Sequence, residues 1–177
     1  PEAPRVWLWL ALSYDRLQQP NEALQELAQL KRRLRSTDPV WPEALFWEGE
    51  VSRRAYRMVR ARWAYEELLR IAPMSAWATQ ARLGLGLIAL HQQAFHVALE
   101  HFAQVEARQA GSALALEARL LQGLCRLRLE QFDAAAVVLE PLLDQAQAPA
   151  VAVQAAFYLG ESLTGAGRYR AAVLAYQ

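Results

Sequence analysis

Three histidines lie close together in the sequence and are the first candidates for metal or acid–base chemistry. His91, His96 and His101 follow one another at intervals of five residues. Five residues turn a helix by about 140°, so neighbouring histidines do not share a helix face. Two metal ligands on one helix need a spacing of three or four residues. The spacing therefore predicts no metal site, and we expect histidines at the surface or at helix ends.

Other reactive side chains also lack a partner at a catalytic spacing. On a helix, Glu48 and Glu50 point about 200° apart and Glu66 and Glu67 about 100° apart, which favours solvated helix surface over a general acid and base. The single cysteine, Cys125, is expected to be a buried and inert thiol, because no histidine lies near it in the repeat described below. We therefore expect no catalytic residues, no cofactor and no metal, and hence no enzyme.

The composition is that of a folded protein without a surplus of charge. Of the 177 residues, 54% are hydrophobic and 21% are charged, which excludes a disordered tail. Nineteen basic and eighteen acidic residues leave a net charge of +1, so binding to nucleic acid is not expected. No apolar run reaches the roughly 18 residues of a membrane span, so direct membrane insertion is not expected either.

Small residues recur along the chain and divide it into units. Glycines and alanines form two ladders with a period of 37 residues, and each glycine precedes its alanine by 12 residues. The ladders are Gly49, Gly86, Gly123 and Gly160, and Ala61, Ala98, Ala135 and Ala172. Two amphipathic stretches with apolar residues at i, i+3, i+4 and i+7 fill each unit and predict a pair of helices. One pair cannot bury its apolar face alone, so neighbouring units must stack.

The pattern predicts ten helices in a single repeat array. The predicted helices are 4–18, 21–35, 42–56, 60–71, 76–92, 95–108, 112–130, 133–145, 149–165 and 169–177. The predicted units are 4–38, 42–75, 76–111, 112–148 and 149–177. Trp41, Trp63 and Trp77 lie near unit junctions and are expected to cover packing seams. Because the helical pattern still continues at Gln177, we expect this array to be a piece of a longer protein.

The units resemble the tetratricopeptide repeat, or TPR, whose pattern is Trp-x2-Leu-Gly-x2-Tyr, then Ala-x3-Phe, then Pro. The clearest matches are Trp7-x2-Leu10-Ala11-x2-Tyr14, Ala23-x3-Leu27, Leu85-Gly86, Ala98-x3-Phe102, Leu159-Gly160 and Ala172-x3-Tyr176. The resemblance implies an all-α fold, a right-handed α-solenoid of about five antiparallel helix pairs. The period of 37 residues is similar to that of bacterial envelope members of the family, of the barrel-assembly lipoprotein or Tol–Pal-associated type.

The resemblance also implies a partner-binding groove, because the first helix of each TPR unit lines the concave side of the solenoid. The leucines at its groove-facing positions are Leu83, Leu87, Leu90, Leu120, Leu124 and Leu127. The charged and aromatic residues at such positions are Arg16, Phe46, Glu50, Arg53, Arg54, Arg128, Phe157 and Glu161. Two interpretations of the leucines stay open: an apolar site for a partner segment, or a buried seam between stacked units.

The function implied by the resemblance is a non-catalytic protein–protein interaction scaffold, part of a larger bacterial protein. Its expected partner is an amphipathic or extended protein segment, or another part of the same full-length chain. Arg16, Arg53 and Arg54 are expected to attract acidic groups of that partner. The alternative is a regulatory or sensor segment that controls an attached catalytic or DNA-binding domain. A periplasmic or outer-membrane-associated location is favoured over a cytoplasmic one.

Overall fold

A computed structural model describes residues 3–145 and 147–177, and it contains ten α-helices within these residues. The helices are α1 (Ala3–Arg16), α2 (Pro20–Arg33), α3 (Trp41–Arg54), α4 (Met58–Ile71), α5 (Ala78–His91), α6 (Phe95–Arg108), α7 (Ala113–Arg128), α8 (Phe132–Leu139), α9 (Pro149–Gly165) and α10 (Tyr169–Ala175). The described residues contain no strand. The all-α fold predicted from the periodicity is therefore confirmed.

The chain divides into two compact units, the first ending at Ile88 and the second beginning at Ala89. In the first unit, α1 packs on α2 and α3 packs on α4, and α2 also contacts α3. In the second unit, α6 packs on α7, α7 on α8 and α9 on α10, and α7 also contacts α9. Consecutive helices joined by short turns thus form the helix pairs that the repeat predicts.

The glycine ladder marks places where one helix receives a side chain of the next. A Cβ atom added to Gly49 would overlap the ring of Tyr65, which lies sixteen residues later on the paired helix. The same spacing brings Leu139 against Gly123 and Tyr176 against Gly160. In these three repeats the ladder glycine leaves room for a large side chain that lies four residues after the ladder alanine.

The turns inside the helix pairs share one backbone conformation. Five residues at these turns have a positive φ between 56° and 73°, in the left-handed region: Gln18, Tyr56, Gln93, Glu130 and Gly167. Glycine adopts this conformation without steric cost, whereas each other residue type is strained by about 1 kcal/mol or more. Four of the five turns therefore hold a residue that the backbone disfavours.

One helix is shorter than the sequence predicts. The predicted helix 133–145 ends at Leu139, and a single 3-10 turn follows at Glu140–Leu142. The cause is Pro141, which has no amide hydrogen to donate and whose ring clashes with the carbonyl four residues earlier in a continuing α-helix. The apolar periodicity continues beyond this point, because Leu142 is fully buried in the core, but the backbone does not follow it.

Candidate interaction surfaces

Arg53 and Arg54, two of the charged residues predicted on the first helices of the first unit, are paired with carboxylates. Arg53 contacts Glu50 at 2.9 Å between Nη2 and Oε2. Arg54 contacts Asp15 at 2.6 Å and Glu50 at 3.6 Å. Arg16 is exposed. Two of the three arginines that we expected to attract an acidic partner are thus largely neutralised by carboxylates of their own unit.

Glu50 also links this surface to the core. The buried hydroxyl of Tyr65 donates a hydrogen bond to Oε1 of Glu50. Burial raises the pKa of Tyr65, and the negative charge and the hydrogen bond of Glu50 raise it further. Tyr65 therefore stays a hydrogen-bond donor, with its ring held between Gly49 of α3 and Gly84 of α5.

Phe46, which the resemblance places in the groove, belongs to the core. Its ring stacks on Trp77 with 4.9 Å between the ring centroids, and it contacts Trp47 edge-on at 5.1 Å. Phe46 is buried in the cluster that also contains Leu45, so the prediction of a surface role for its side chain is wrong. Aromatic packing at the junction with the next helix accounts for it instead.

The six predicted groove leucines are not equally accessible, and none of them is exposed. Leu83, Leu120 and Leu127 are buried, so their side chains contribute to packing. Leu87, Leu90 and Leu124 are partly buried and keep some accessible surface. The buried seam describes the first three leucines, and a partner-binding role remains a prediction for the other three.

The second unit presents an apolar strip on α9. Phe157 is 52% exposed and Val153 is 71% exposed, and they lie four residues apart on one face of that helix. Glu161, a further turn along α9, is partly buried, and Arg128 at the end of α7 is exposed. Phe157 rests against Tyr158, with ring centroids 5.5 Å apart. Of the aromatic and charged residues predicted here, Phe157 is the one that offers apolar surface.

A second candidate surface, which the sequence did not reveal, is an open pocket of about 770 Å³ in the first unit. Four apolar or aromatic residues from the α3–α4 turn and the start of α4 form one part of its wall: Tyr56, Met58, Val59 and Trp63. Four charged residues complete it: Lys31, Glu48, Arg57 and Arg60. We refer to this site as the Trp63 pocket.

Glu48 holds two cationic side chains of the Trp63 pocket, Lys31 and Arg60, in place. Its side chain is buried and accepts hydrogen bonds from Nε of Arg60 at 2.9 Å and from Nη2 at 2.7 Å, both at Oε1. Oε2 accepts a hydrogen bond from Nζ of Lys31. The prediction that Glu48 belongs to a solvated helix surface is therefore wrong. It lies on the buried face of α3 with Ala44 and Val51, and a charge among these positions was the signal for an ion-paired site.

The aromatic wall of the Trp63 pocket is open to solvent. Trp63 is 52% exposed, and Nζ of Lys31 lies 5.1 Å from the centre of its ring, which is a cation–π contact. Tyr56 is 78% exposed in the strained turn conformation. Trp63 therefore contacts Lys31 of α2 and also lines the open pocket, whereas Trp77 packs on Phe46. That Trp63 covers a packing seam stays a prediction.

Two kinds of reactive group can be checked among the described residues, namely clusters of metal ligands and the single cysteine. No group of three potential metal ligands occurs there. Cys125 is fully buried, and burial raises the pKa of its thiol from about 9 to about 11, so it is protonated and unreactive at neutral pH. No helix in the described part of the chain is both long and apolar enough to cross a membrane.

Comparison with solved structures identifies the architecture. Residues 41 to the end of MamA from Desulfovibrio magneticus RS-1 share 18% identity with this chain at a TM-score of 0.83, over 99% of this chain and 92% of that one. A tetratricopeptide repeat protein from Parabacteroides merdae shares 14% identity with this chain at a TM-score of 0.82, over 99% of this chain and 64% of that one. The apo form of RapI shares 13% identity with this chain at a TM-score of 0.85, over 96% of this chain and 50% of that one.

The sequence itself carries no such match. No protein-family model and no curated protein matches the chain. At identities below one fifth, the structural similarity extends to the fold and not to a partner or an activity. The helix pairs, the glycine and alanine ladders and the solved structures agree on one architecture: the chain has the α-solenoid fold of tetratricopeptide repeat proteins.

Proposed function

We propose that this chain is a non-catalytic protein–protein interaction scaffold, and that a segment of a partner protein binds along the first helices of its units. Repeat folds of this kind expose long helical surfaces instead of enclosing a reaction site. The six predicted groove leucines form either an apolar binding site or a buried seam. Because Leu83, Leu120 and Leu127 are buried, they are not among the proposed anchor points for the partner.

The observation that carries the proposal is the apolar strip of α9. Phe157 and Val153 expose most of their side chains, although aromatic and β-branched residues are normally placed in the core. Leu124 of the adjacent α7 is partly accessible. Two or three such anchors suit an amphipathic partner helix, which offers apolar side chains at i, i+3, i+4 and i+7. The exposed Arg128 and the partly buried Glu161 would set the orientation of that partner.

We further propose that the scaffold serves a bacterial envelope assembly. The support is the 37-residue period, which resembles that of envelope members of the repeat family, together with an alanine-rich composition in which Lys31 is the sole lysine. A partner from the bacterial envelope would support this part of the proposal, whereas a partner within the same full-length chain would support the alternative, a regulatory segment.

Site-specific photo-crosslinking in living cells tests the binding surface. A photoreactive residue replaces Phe157 in one variant and Val137 in a matched control. Val137 is also exposed, but it lies on α8, the second helix of its repeat, and therefore outside the proposed surface on the first helices. We expect a discrete crosslinked protein from position 157 that is absent from position 137 and is lost in Val153→Asp. Crosslinking that is equal at both positions, or insensitive to Val153→Asp, would contradict the proposed surface.

A further inference from the structure

The Trp63 pocket belongs to the first unit and differs in chemistry from the α9 strip of the second unit. Its wall consists of the last residues of the α3–α4 turn, the first two turns of α4, and single residues of α2 and α3. We propose that it binds an acidic segment of a partner protein, in which an apolar or aromatic side chain lies next to carboxylates. This proposal rests on the pocket alone and does not require a partner on α9.

The first argument is charge. Lys31, Arg57 and Arg60 bring three positive charges to the pocket, and Glu48 brings one negative charge. The nearby Glu67 is paired with Arg70 at 2.7 Å and is therefore already neutralised. Two positive charges remain in a protein whose net charge is only +1. A carboxylate-bearing ligand complements this surplus, whereas a basic segment would be repelled.

The second argument is the accessible apolar surface beside those charges. Val59 is 86% exposed, and Trp63 and Tyr56 also face solvent. All three residues line the Trp63 pocket, and Val59 and Trp63, four residues apart on α4, share one face of that helix. Aromatic and arginine side chains grouped in a concave site are typical of the residues that dominate binding energy at protein interfaces.

The third argument is the backbone of Tyr56. At the equivalent turn position the other four repeats have Gln18, Gln93, Glu130 and Gly167. Among these five turns, only that of Tyr56 has an aromatic residue in the left-handed conformation. A bulky residue with positive φ strains the backbone, and residues strained in this way cluster at ligand-binding sites. The Tyr56 ring gives the pocket a wall that glycine would not provide.

Glu48 explains why the pocket is preformed. It is buried and hydrogen-bonded to both Lys31 and Arg60, so it holds two of the three cations in place before any ligand arrives. Lys31 is further restrained over the ring of Trp63. Charges that are fixed in advance lose less conformational entropy on binding than freely rotating ones.

The pocket's size and composition favour a peptide over a nucleic acid. At about 770 Å³ and open to one side, it accommodates a few side chains of an extended segment. Two surplus charges are few for a nucleic acid, whose binding normally requires neutralisation of many phosphates. The aromatic wall also favours a ligand that presents an apolar side chain between its carboxylates.

Three labelled peptides test the proposal by fluorescence anisotropy with the whole chain. The probes are acetyl-Asp-Glu-Trp-Glu-Asp-amide, the same peptide with Ser in place of Trp, and the same peptide with Lys at every acidic position. We expect the acidic tryptophan peptide to bind at least about tenfold more tightly than either of the others, which corresponds to one ion pair or one apolar anchor. Equal affinity for all three, or no binding at millimolar peptide, would overturn the proposal.

Two variants locate the binding within the chain. Arg57→Glu reverses an exposed charge, and we expect it to weaken binding of the acidic tryptophan peptide about tenfold or more. Tyr56→Gly removes the wall while relieving backbone strain, so the melting temperature should rise while binding falls. Its matched control is Gln93→Gly, which relieves the same strain in the second unit and should leave binding unchanged.

The same variants distinguish a peptide site from unfolding and from a lipid-binding surface. Loss of binding in Tyr56→Gly cannot be attributed to unfolding if the variant melts above the parent. Unchanged affinity in both Tyr56→Gly and Arg57→Glu would overturn the proposal. Vesicles of phosphatidylglycerol serve as the competing anionic surface. The proposal would also be overturned if the chain bound these vesicles, lost this binding in the two variants and did not bind the peptide.

Discussion

Glu48 and Glu50 of α3 are the same residue type two positions apart, yet they lie on opposite sides of one helix and have different roles. Glu48 is buried and holds Lys31 and Arg60, so that a pocket with surplus positive charge is built around it. Glu50 contacts Tyr65 and pairs with arginines on a surface where the charges balance. Gly49 lies between the two glutamates and packs against the ring of Tyr65, and this contact fixes the rotation of α3 about its own axis.

The difference shows where an acidic partner would be attracted. Arg53 and Arg54, which the sequence pattern places in the groove, are on the Glu50 side, where Asp15 and Glu50 already neutralise them. The unbalanced cations are on the Glu48 side, around the Trp63 pocket. A count of arginines on a predicted face therefore does not locate the positive potential, because the paired carboxylates come from other helices as well.

The largest effect is expected at the glycine that separates the two sides. Gly49→Leu would drive a side chain into the Tyr65 ring, which cannot retreat because Gly84 borders its other face. We expect a loss of about 3 kcal/mol or more in the free energy of unfolding, at the upper end of overpacking effects. Denaturant unfolding measures it, with Ala103→Leu on the exposed face of α6 as the control. Equal stability of the two variants would mean that α3 is rotated differently.

The Glu48 side should be the more sensitive of the two carboxylate sites. Glu48→Ala leaves Lys31 without its partner in a mostly buried position, and we expect a cost of about 2–3 kcal/mol. This is below the range for fully buried pairs because Arg60 is partly solvated. Glu66→Ala, an exposed carboxylate on α4, is the control and should be near neutral. If thermal melts of both variants coincide, Glu48 does not organise the pocket.

The Glu50 side should show a smaller effect that depends on pH. Tyr65→Phe removes the hydrogen bond to Glu50 and should cost about 1 kcal/mol at neutral pH. The pKa of Tyr65 is raised in the folded state, so its contribution is complete below the ordinary tyrosine value near 10 and is lost as the pH rises above it. The parent should therefore lose stability in alkali more steeply than Tyr65→Phe. The measurement is the free energy of unfolding of both proteins as the pH is raised. If the two free energies fall in parallel, this assignment is contradicted.

The smallest effect is expected for the ion pair of Arg54 with Asp15. The Arg54 side chain is 44% exposed, and exposed pairs contribute little because water and salt screen them. Arg54→Ala should change the free energy of unfolding by no more than about 0.5 kcal/mol. Urea unfolding at low and at high salt measures the change. A loss comparable to that of Glu48→Ala would remove the distinction between the two sides of α3.

The sequence predicts the architecture well because that architecture depends on local patterns. Apolar periodicity and the glycine and alanine ladders place nine of the ten helices to within about two residues at most ends, and the exception, α8, ends early at Pro141 for a reason the sequence already contains. The contacts of Gly49, Gly123 and Gly160 follow from the same ladders. Such features involve residues within one repeat, whose spacing is fixed by helix geometry.

The surfaces could not be predicted to the same degree, because they depend on residues far apart in sequence. Lys31 of α2 reaches Glu48 of α3, and the Arg54–Asp15 pair joins residues 39 positions apart. Burial of Phe46 depends on a tryptophan that precedes α5. A signal for Glu48 was present in its position on an apolar helix face, but a single sequence does not say which cations lie opposite it.

Backbone NMR of the labelled chain tests the central claim most directly, namely that the Glu48 side of α3 binds an acidic segment. The chain would be titrated with acetyl-Asp-Glu-Trp-Glu-Asp-amide, and the amide shifts would be mapped along the sequence. We predict that the largest shifts fall on residues 56–60, Trp63 and Lys31, which line the Trp63 pocket. Shifts concentrated at Arg53 and Arg54, or on α7 and α9, or the absence of any shift, would contradict this claim.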